Sequence, residues 1–406
     1  MNDYFSELGR EVLAQWKARN FSLAAFPNIA RNLLEARPPS EHVDLDALMR
    51  DFLLNDEQPL QTQSGFGQPE LVVFSDPRFY IQILFWLEGT TAIHQHEFSG
   101  AFHVLAGSSI HSLFDFENVQ PVSAHLRVGD VRLRETQLLE TGSTVEIISG
   151  GGYIHSLFHL DTPSLTVVVR TQSDPGTGPQ FNFLPPHMAV DPFHSDDLTM
   201  RRKQLLDVLE TTESGAYAEL VCEMVATLDF ERGFFILQNA MGHLKNTGDW
   251  DAVLAAFSKK HRRLADYVVP TLEGIIRKDI ISGLRGSVTD VDHRFFLALL
   301  LNLPDRKGIL RLVKQRFGGD PVQTVLRWAA ELGEATGHEA WILDAAFPPE
   351  VKVPAGRHAA VFLAALGHFL KGAKGPVRAG AVKLTAADTR HLREAFGQSS
   401  LRTLLH

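Results

Sequence analysis

The sequence predicts a three-part chain: an N-terminal helical segment over residues 1–62, an all-β barrel over 63–185 and a large C-terminal all-α domain over 195–406. Two changes in hydrophobic period and one break in composition lead to this division. Apolar residues recur at helical steps up to about residue 54, then in short β-branched and aromatic runs with turns every ~8–12 residues, the spacing of an all-β barrel or sandwich. A Pro/Gly-rich stretch, Asp174-Pro-Gly-Thr-Gly-Pro179 to Asp191-Pro192, has neither period, and helical periodicity follows it to the end of the chain.

In the first part, Phe5-Leu8-Val12-Leu13-Trp16, Ile29-Leu33-Leu34 and Leu45-Leu48-Met49-Phe52-Leu53 each place apolar side chains on one helix face, and Gln58-Pro59 ends the run. A polar link, Gln61-Thr-Gln-Ser-Gly65, leads to the strand candidates. These are Leu71–Phe74, Tyr80–Leu87, Ala101–Leu105, Ile110–Phe116, Val131–Thr136, Thr144–Ile148, Tyr153–Leu160 and Leu165–Arg170, enough for a small barrel. The Pro/Gly-rich stretch reads as a domain boundary; as an alternative it wraps the barrel mouth, with Phe181 and Phe183 lining an entrance. In the last part, helices are expected over 198–209, 217–228, 234–244, 253–257, 295–303, 309–317, 322–332 and 359–370, with Pro321 in a first turn and Thr385 capping a further start.

Seven of the chain's 18 histidines (His94, His96, His103, His111, His125, His155 and His159) lie within the β region. His94 and His96 stand in Gly89-Thr-Thr-Ala-Ile-His94-Gln-His96, and alternate residues of a strand share a face, so both imidazoles can point into one interior. His155 lies in a second apolar run after a glycine turn, Gly150-Gly-Gly-Tyr-Ile-His155. Three neutral imidazoles with open positions suit iron, zinc, copper, nickel or manganese, and affinity order alone does not choose among them. His103 has the parity opposite to an inward residue and is expected to be structural. His159 shares the parity of His155 and is a candidate for a supporting or proton-moving role. Glu97 should face away from a metal unless a bulge re-aims it. His111-Ser-Leu-Phe repeats as His155-Ser-Leu-Phe.

The two segments resemble the signature motifs of the cupin superfamily, a double-stranded β-helix or jelly-roll barrel whose mouth holds a metal. Gly89, His94, His96, Gly107, Gly152 and His155 match; Gly100 stands where that family usually has a carboxylate ligand, the proline preceding the second motif's glycine is missing, and the Gly142 to Gly152 spacing is longer. Three histidines without the carboxylate are similar to the thiol dioxygenases of the cysteine dioxygenase type, as are the strand Phe79 to Trp86 and the Val-Leu-x-Gly ending at Gly107. The resemblance spans roughly residues 70–170. It implies ferrous iron on His94, His96 and His155, with O₂ and a small-molecule substrate as reactants. The Ser-x-His-x-Tyr run of those enzymes reads Thr166-Val-Val168-Val-Arg170 here, and Gly67-Gln68-Pro69-Glu70 falls near the place of their substrate-binding arginine. Arg170 and Arg78 are the cations left to pair with a substrate carboxylate. Tyr153 and His159 would assist proton movement.

Composition limits the alternatives. With 44% hydrophobic and 21% charged residues the chain has an ordinary globular composition, and a net charge of −9 argues against a nucleic-acid partner. No run is apolar enough for a membrane span. One cysteine, Cys222, excludes an internal disulfide and fits the cytoplasm; its helical context makes it a small apolar side chain rather than a nucleophile. The reading is therefore a mononuclear non-heme iron dioxygenase acting on a carboxylate-bearing substrate. Two alternatives stay open: a redox-silent cupin isomerase or lyase, and a non-enzymatic cupin that binds a metal or ligand and works through its helical domain. That domain resembles no family, and a homodimer or a partner protein could be built on it.

Overall fold

The computed structural model describes residues 3–62, 67–87, 92–335, 347–354 and 356–406; Gly65 and Gly89 lie outside them. The chain forms two compact units. One comprises residues 1–109, 113–134 and 139–275, and the other residues 110–112, 135–138 and 276–406.

In the first unit, α1 (Asp3–Ala18), α2 (Phe26–Ala36), α3 (Pro39–His42) and α4 (Leu45–Leu54) precede the strands. Phe5, Leu8, Val12 and Trp16 fall on the buried face of α1, as the helical spacing predicts. Trp16 meets Phe26 with ring centroids 4.5 Å apart, and Phe26 meets Phe79 at 5.7 Å. Each such fully buried ring contributes roughly 1.5–3 kcal/mol of transfer free energy.

Eleven strands follow in this unit's sequence span: β1 (Glu70–Asp76), β2 (Phe79–Trp86), β3 (Ile93–His94), β4 (Gly100–Ala106), β5 (Ser108–Pro121), β6 (Leu126–Glu140), β7 (Thr144–Ile147), β8 (Ile154–His159), β9 (Ser164–Thr171), β10 (Asn182–Leu184) and β11 (Met188–Val190). They build a five-stranded sheet, β1-β2-β9-β4-β7, and a closed six-stranded barrel, β10-β11-β6-β5-β8-β3. All eight strand candidates are present. The repeated His-Ser-Leu-Phe tetrapeptides sit on β5 and β8, which are neighbours in the barrel.

Period two sorts the sheet's side chains. Phe79, Ile81 and Ile83 of β2, Ala101 and Leu105 of β4, and Val167 and Val169 of β9 pack with the N-terminal helices. Leu84, Phe102 and Val168 turn the other way, into a cluster with Phe98, Leu139, Ile147, Tyr153 and Leu157. His103 faces the helices as its parity requires, yet it is fully buried there, with its ring nitrogens on Thr144 Oγ1 at 2.8 Å and Ser40 Oγ at 3.0 Å.

The Pro/Gly-rich stretch corrects the expectation of a plain boundary. Its β10 pairs with β3, Asn182 opposite His94, and its β11 pairs with β6, so it closes the barrel. Phe181 and Phe183 are buried in a cluster with Phe114, Ile154 and Ala189 rather than lining an entrance. Strands of three residues are too short to show alternation, which is why periodicity missed them.

The helices after the barrel are α5 (Asp197–Thr211), α6 (Tyr217–Thr227), α7 (Phe230–Thr247), α8 (Trp250–His261), α9 (Val268–Ser287), α10 (Val291–Asn302), α11 (Arg306–Phe317), α12 (Pro321–Ala335), α13 (His358–Leu370) and α14 (Ala386–Gln398); a small hairpin, β12 (Arg378–Ala379) and β13 (Val382–Lys383), precedes the last. Asp196, Asp229, Asp290 and Asp305 cap α5, α7, α10 and α11 with side-chain oxygens, and Thr385 with Asp388 forms a capping box. α9 escaped the sequence reading because Pro270, Gly274, Gly283 and Gly286 interrupt its apolar pattern. Cys222 is half-buried on α6. No described helix is long and apolar enough to cross a membrane.

Candidate metal centre

Register brings the three histidines together. β3 and β8 pair with His94 directly opposite His155, and His96, one alternation beyond His94, bridges to Ser149 just ahead of the glycine turn. The turn is held by Gly150 N donating to His96 O at 2.7 Å; Gly150 has φ +80°, a conformation that favours glycine. All three rings are buried, at 3–5% exposure, and one ligand nitrogen from each lies within 4.8 Å of the others. Among the described residues this is the sole group of three or more His, Cys, Asp or Glu so arranged.

The chemistry of the donors fits a cation. His94 Nδ1 is 2.7 Å from Ala92 O; a carbonyl can only accept, so Nδ1 carries the proton and the neutral ring's lone pair sits on Nε2. His96 Nε2 and His155 Nε2 are 2.8 Å apart. Two imidazole nitrogens bound at about 2.0–2.1 Å to one ion stand roughly 3 Å apart, so this spacing needs little adjustment. Burial pushes the His94 pKa below its ordinary value. That of His96 goes well below, through burial first, then the neighbouring His94 and Arg170. Both rings are therefore neutral near pH 7, the form that ligates.

The segment carrying His96 is strapped by the chain after β9. Asp174 N donates to Glu97 O at 2.6 Å, Gln180 N donates to Glu97 Oε1 at 3.1 Å, and Gln95 Nε2 donates to Pro179 O at 2.9 Å. The buried Asp174 carboxylate accepts from Ser99 Oγ and, at 2.7 Å, from Thr171 Oγ1. Glu97 thus faces the strap, as regular alternation requires, and is not re-aimed at the histidines. Nothing in the local sequence announces Asp174: it lies in a Pro/Gly-rich stretch, and its ties to Ser99 and Glu97 are remote in the chain.

Other candidates are placed as follows. Arg170 sits on β9 opposite Tyr80 and Gly100; its guanidinium lies 3.4 Å from the Phe98 ring centroid and donates to Thr171 O and Gln172 O, and Phe98 in turn lies 4.3 Å from the His96 ring. Tyr153 has its ring 4.8 Å from His155, and burial pushes its phenol pKa up, keeping it protonated. His159, on the same strand face as His155 but four residues on, stacks on Trp86 at 4.4 Å and shares Nδ1 with Ser109 and Ser164, both at 3.1 Å. It is not brought into the triad. Arg78 lies over Phe21, 4.4 Å from its ring centroid, on the side of the N-terminal helices. The first motif's Gly89 lies outside the described residues.

Buried neutral histidines carry a pH signature. Burial lowers the pKa of His103 and His111 to about 4 and that of His159 to about 3. In the unfolded chain each titrates near 6.5, so below that pH the unfolded state binds more protons and the fold loses stability as pH falls. Each ring adds up to about 1.4 kcal/mol per pH unit between about 6.5 and its folded value. Urea midpoints should therefore drop steeply from pH 7 to pH 5; a flat profile would mean that these rings are solvated.

No protein-family model matches the chain, and no curated protein sequence does. Solved structures match part of the chain. Hydroquinone 1,2-dioxygenase from Sphingomonas sp. TTNP3, with 4-hydroxybenzoate bound, is 14% identical over 26% of this chain and 67% of its own, with a TM-score of 0.21. KdgF from Halomonas sp. is 17% identical over 30% and 93%, with a TM-score of 0.21. A protein with a double-stranded β-helix domain from Klebsiella pneumoniae is 14% identical over 32% and 89%, with a TM-score of 0.20. Each of these matches leaves about two thirds or more of the chain uncovered. In its own residues the chain has a closed six-stranded barrel, flanking helical regions and three convergent buried histidines, the cupin or double-stranded β-helix architecture that its motifs resemble.

Proposed function

We propose that this protein is a mononuclear non-heme iron dioxygenase acting on a small carboxylate-bearing substrate. The observation that carries the reading is the donor set: three buried imidazoles, two of them held neutral by burial, with no carboxylate among the described residues joining the group. Such a set keeps the charge of a bound cation and leaves positions open for reactants. When bound, ferrous iron would supply the one-electron steps that let O₂ react with a closed-shell substrate.

The chain's own residues do the rest. Arg170, stacked on Phe98 beside His96, pairs with the substrate carboxylate and so orients the reacting carbon or heteroatom toward the triad. The protonated phenol of Tyr153 next to His155 holds a proton at its oxygen for delivery to product. His159, neutral and buried, is held at Nδ1 by the Ser109 and Ser164 hydroxyls and against the Trp86 ring, in a supporting role beside the site. Phe98, Phe102 and Leu157 keep the interior apolar, which strengthens each of these polar contacts.

The test joins metal analysis to oxygen uptake. Stoichiometric iron with substrate-dependent O₂ consumption supports the proposal. Zinc or manganese with turnover but no uptake favours the isomerase or lyase reading. Protein that retains no metal, and whose ligand binding is unchanged by His94→Ala, favours the binding module.

A further inference from the structure

Gln82 lies on the inward face of β2, in line with Tyr80, Leu84 and Trp86; the alternate residues Phe79, Ile81 and Ile83 pack under the N-terminal helices. It is 2% exposed, and its Oε1 accepts no hydrogen bond. A buried amide oxygen without a donor is less favourable than an aliphatic side chain of the same size, so its presence calls for a group that donates to it. The three histidines do not use it, and among the described residues none donates to it.

Its position says which molecule could bring that donor. Gln82 is paired with Val168, and Arg170 is the next residue on the same face of β9, paired with Tyr80. Gln82 and Arg170 are therefore diagonal neighbours, with Cα atoms about 7–8 Å apart. Side chains of that length, converging from adjacent strands, can hold two groups of one small molecule. Arg170 reaches toward His96 through Phe98, so a molecule held by both residues lies beside the triad.

We infer that Gln82 is a substrate-recognition residue whose amide accepts a hydrogen bond from a hydroxyl or amino group on the acid that Arg170 holds by its carboxylate. The inference rests on the reading of Arg170 given above and narrows it. An amide oxygen repels a second carboxylate and gains nothing from a methyl group, so the substrate class is a small hydroxy or amino acid rather than a dicarboxylate or a simple alkanoic acid.

The experiment is calorimetry on the metal-loaded protein with propionate against 3-hydroxypropionate, lactate and β-alanine, for wild type, Gln82→Leu, Gln82→Met and Arg170→Met, with Tm recorded for every variant. Wild type should bind at least one donor-bearing acid about tenfold or more tighter than propionate. In Gln82→Leu the gap should shrink to about twofold or less, and the Tm of both Gln82 variants should stay level or rise, because the unsatisfied amide is gone. A gap that persists in Gln82→Leu, or a Tm that falls in both variants, overturns the inference. Equal binding of all four acids by wild type, lost in Arg170→Met, overturns it while leaving the carboxylate anchor intact. Binding of none of them by wild type overturns both.

Discussion

His96→Ala should release the metal. His96 is one of the three buried imidazoles grouped as donors, and its Nε2 stands 2.8 Å from that of His155, so its removal leaves two donors and, among the described residues, no further His, Cys, Asp or Glu grouped with them. Loss of a group that merely supports a ligand typically weakens metal affinity 10–100-fold; loss of a ligand should exceed about 100-fold. The fold should survive, because deleting the ring removes a buried polar group whose Nδ1 has no hydrogen-bond partner. Competition with a chelator of known affinity measures the first effect and urea unfolding of the metal-free protein the second. Unchanged affinity would place the metal elsewhere; a collapsed fold would make His96 structural.

Gly100→Glu should unfold the protein. Cupin-like motifs usually have a carboxylate ligand at this position, and restoring it looks from sequence like a gain of one donor. The structure gives the opposite expectation. Gly100 pairs with both Arg170 and Ile147, and a Cβ there would stand 2.0 Å from Val169 O and 2.9 Å from Arg170 Cα. Both are backbone atoms of a central strand, so relief requires β4 and β9 to part. Overpacking that no rotamer change can relieve lies at or above the upper end of the usual range, about 3 kcal/mol or more. Gly100→Ala suffers the same collision without any change of charge, so both variants should lose soluble yield and Tm together. A stable Gly100→Glu protein with raised metal affinity would show that the strands yield and that the missing carboxylate is a matter of sequence alone.

Gly100 also marks what the sequence makes legible. Its departure from the motif is visible in one dimension; its cause, a neighbouring strand whose Val169 O would stand 2.0 Å from any added Cβ, belongs to strand pairing. His94, His96 and His155 were legible because alternation places side chains on faces whatever the strand's neighbours, and the β3–β8 register then needed only to set His94 against His155. The long strands were legible for the same reason. β3, β10 and β11 have two or three residues each, too few for a period, and their identity comes from partners: Asn182 opposite His94, Met188 opposite Val128. Asp174 and Gln82 were hidden in opposite ways. Asp174 lies in a stretch with the composition of a loop and acts by joining Ser99 and Glu97, distant in the chain, to its neighbour Thr171, whereas Gln82 is one polar letter in an apolar run, and only its burial without a donor sets it apart.

The most direct measurement is X-ray absorption at the metal edge of the loaded protein, repeated on His155→Ala. Three imidazole nitrogens at about 2.0–2.2 Å in wild type, falling to two with weakened occupancy in the variant, is the result expected from the triad. A coordination shell without imidazole, or one unchanged by the substitution, would contradict a centre built on His94, His96 and His155.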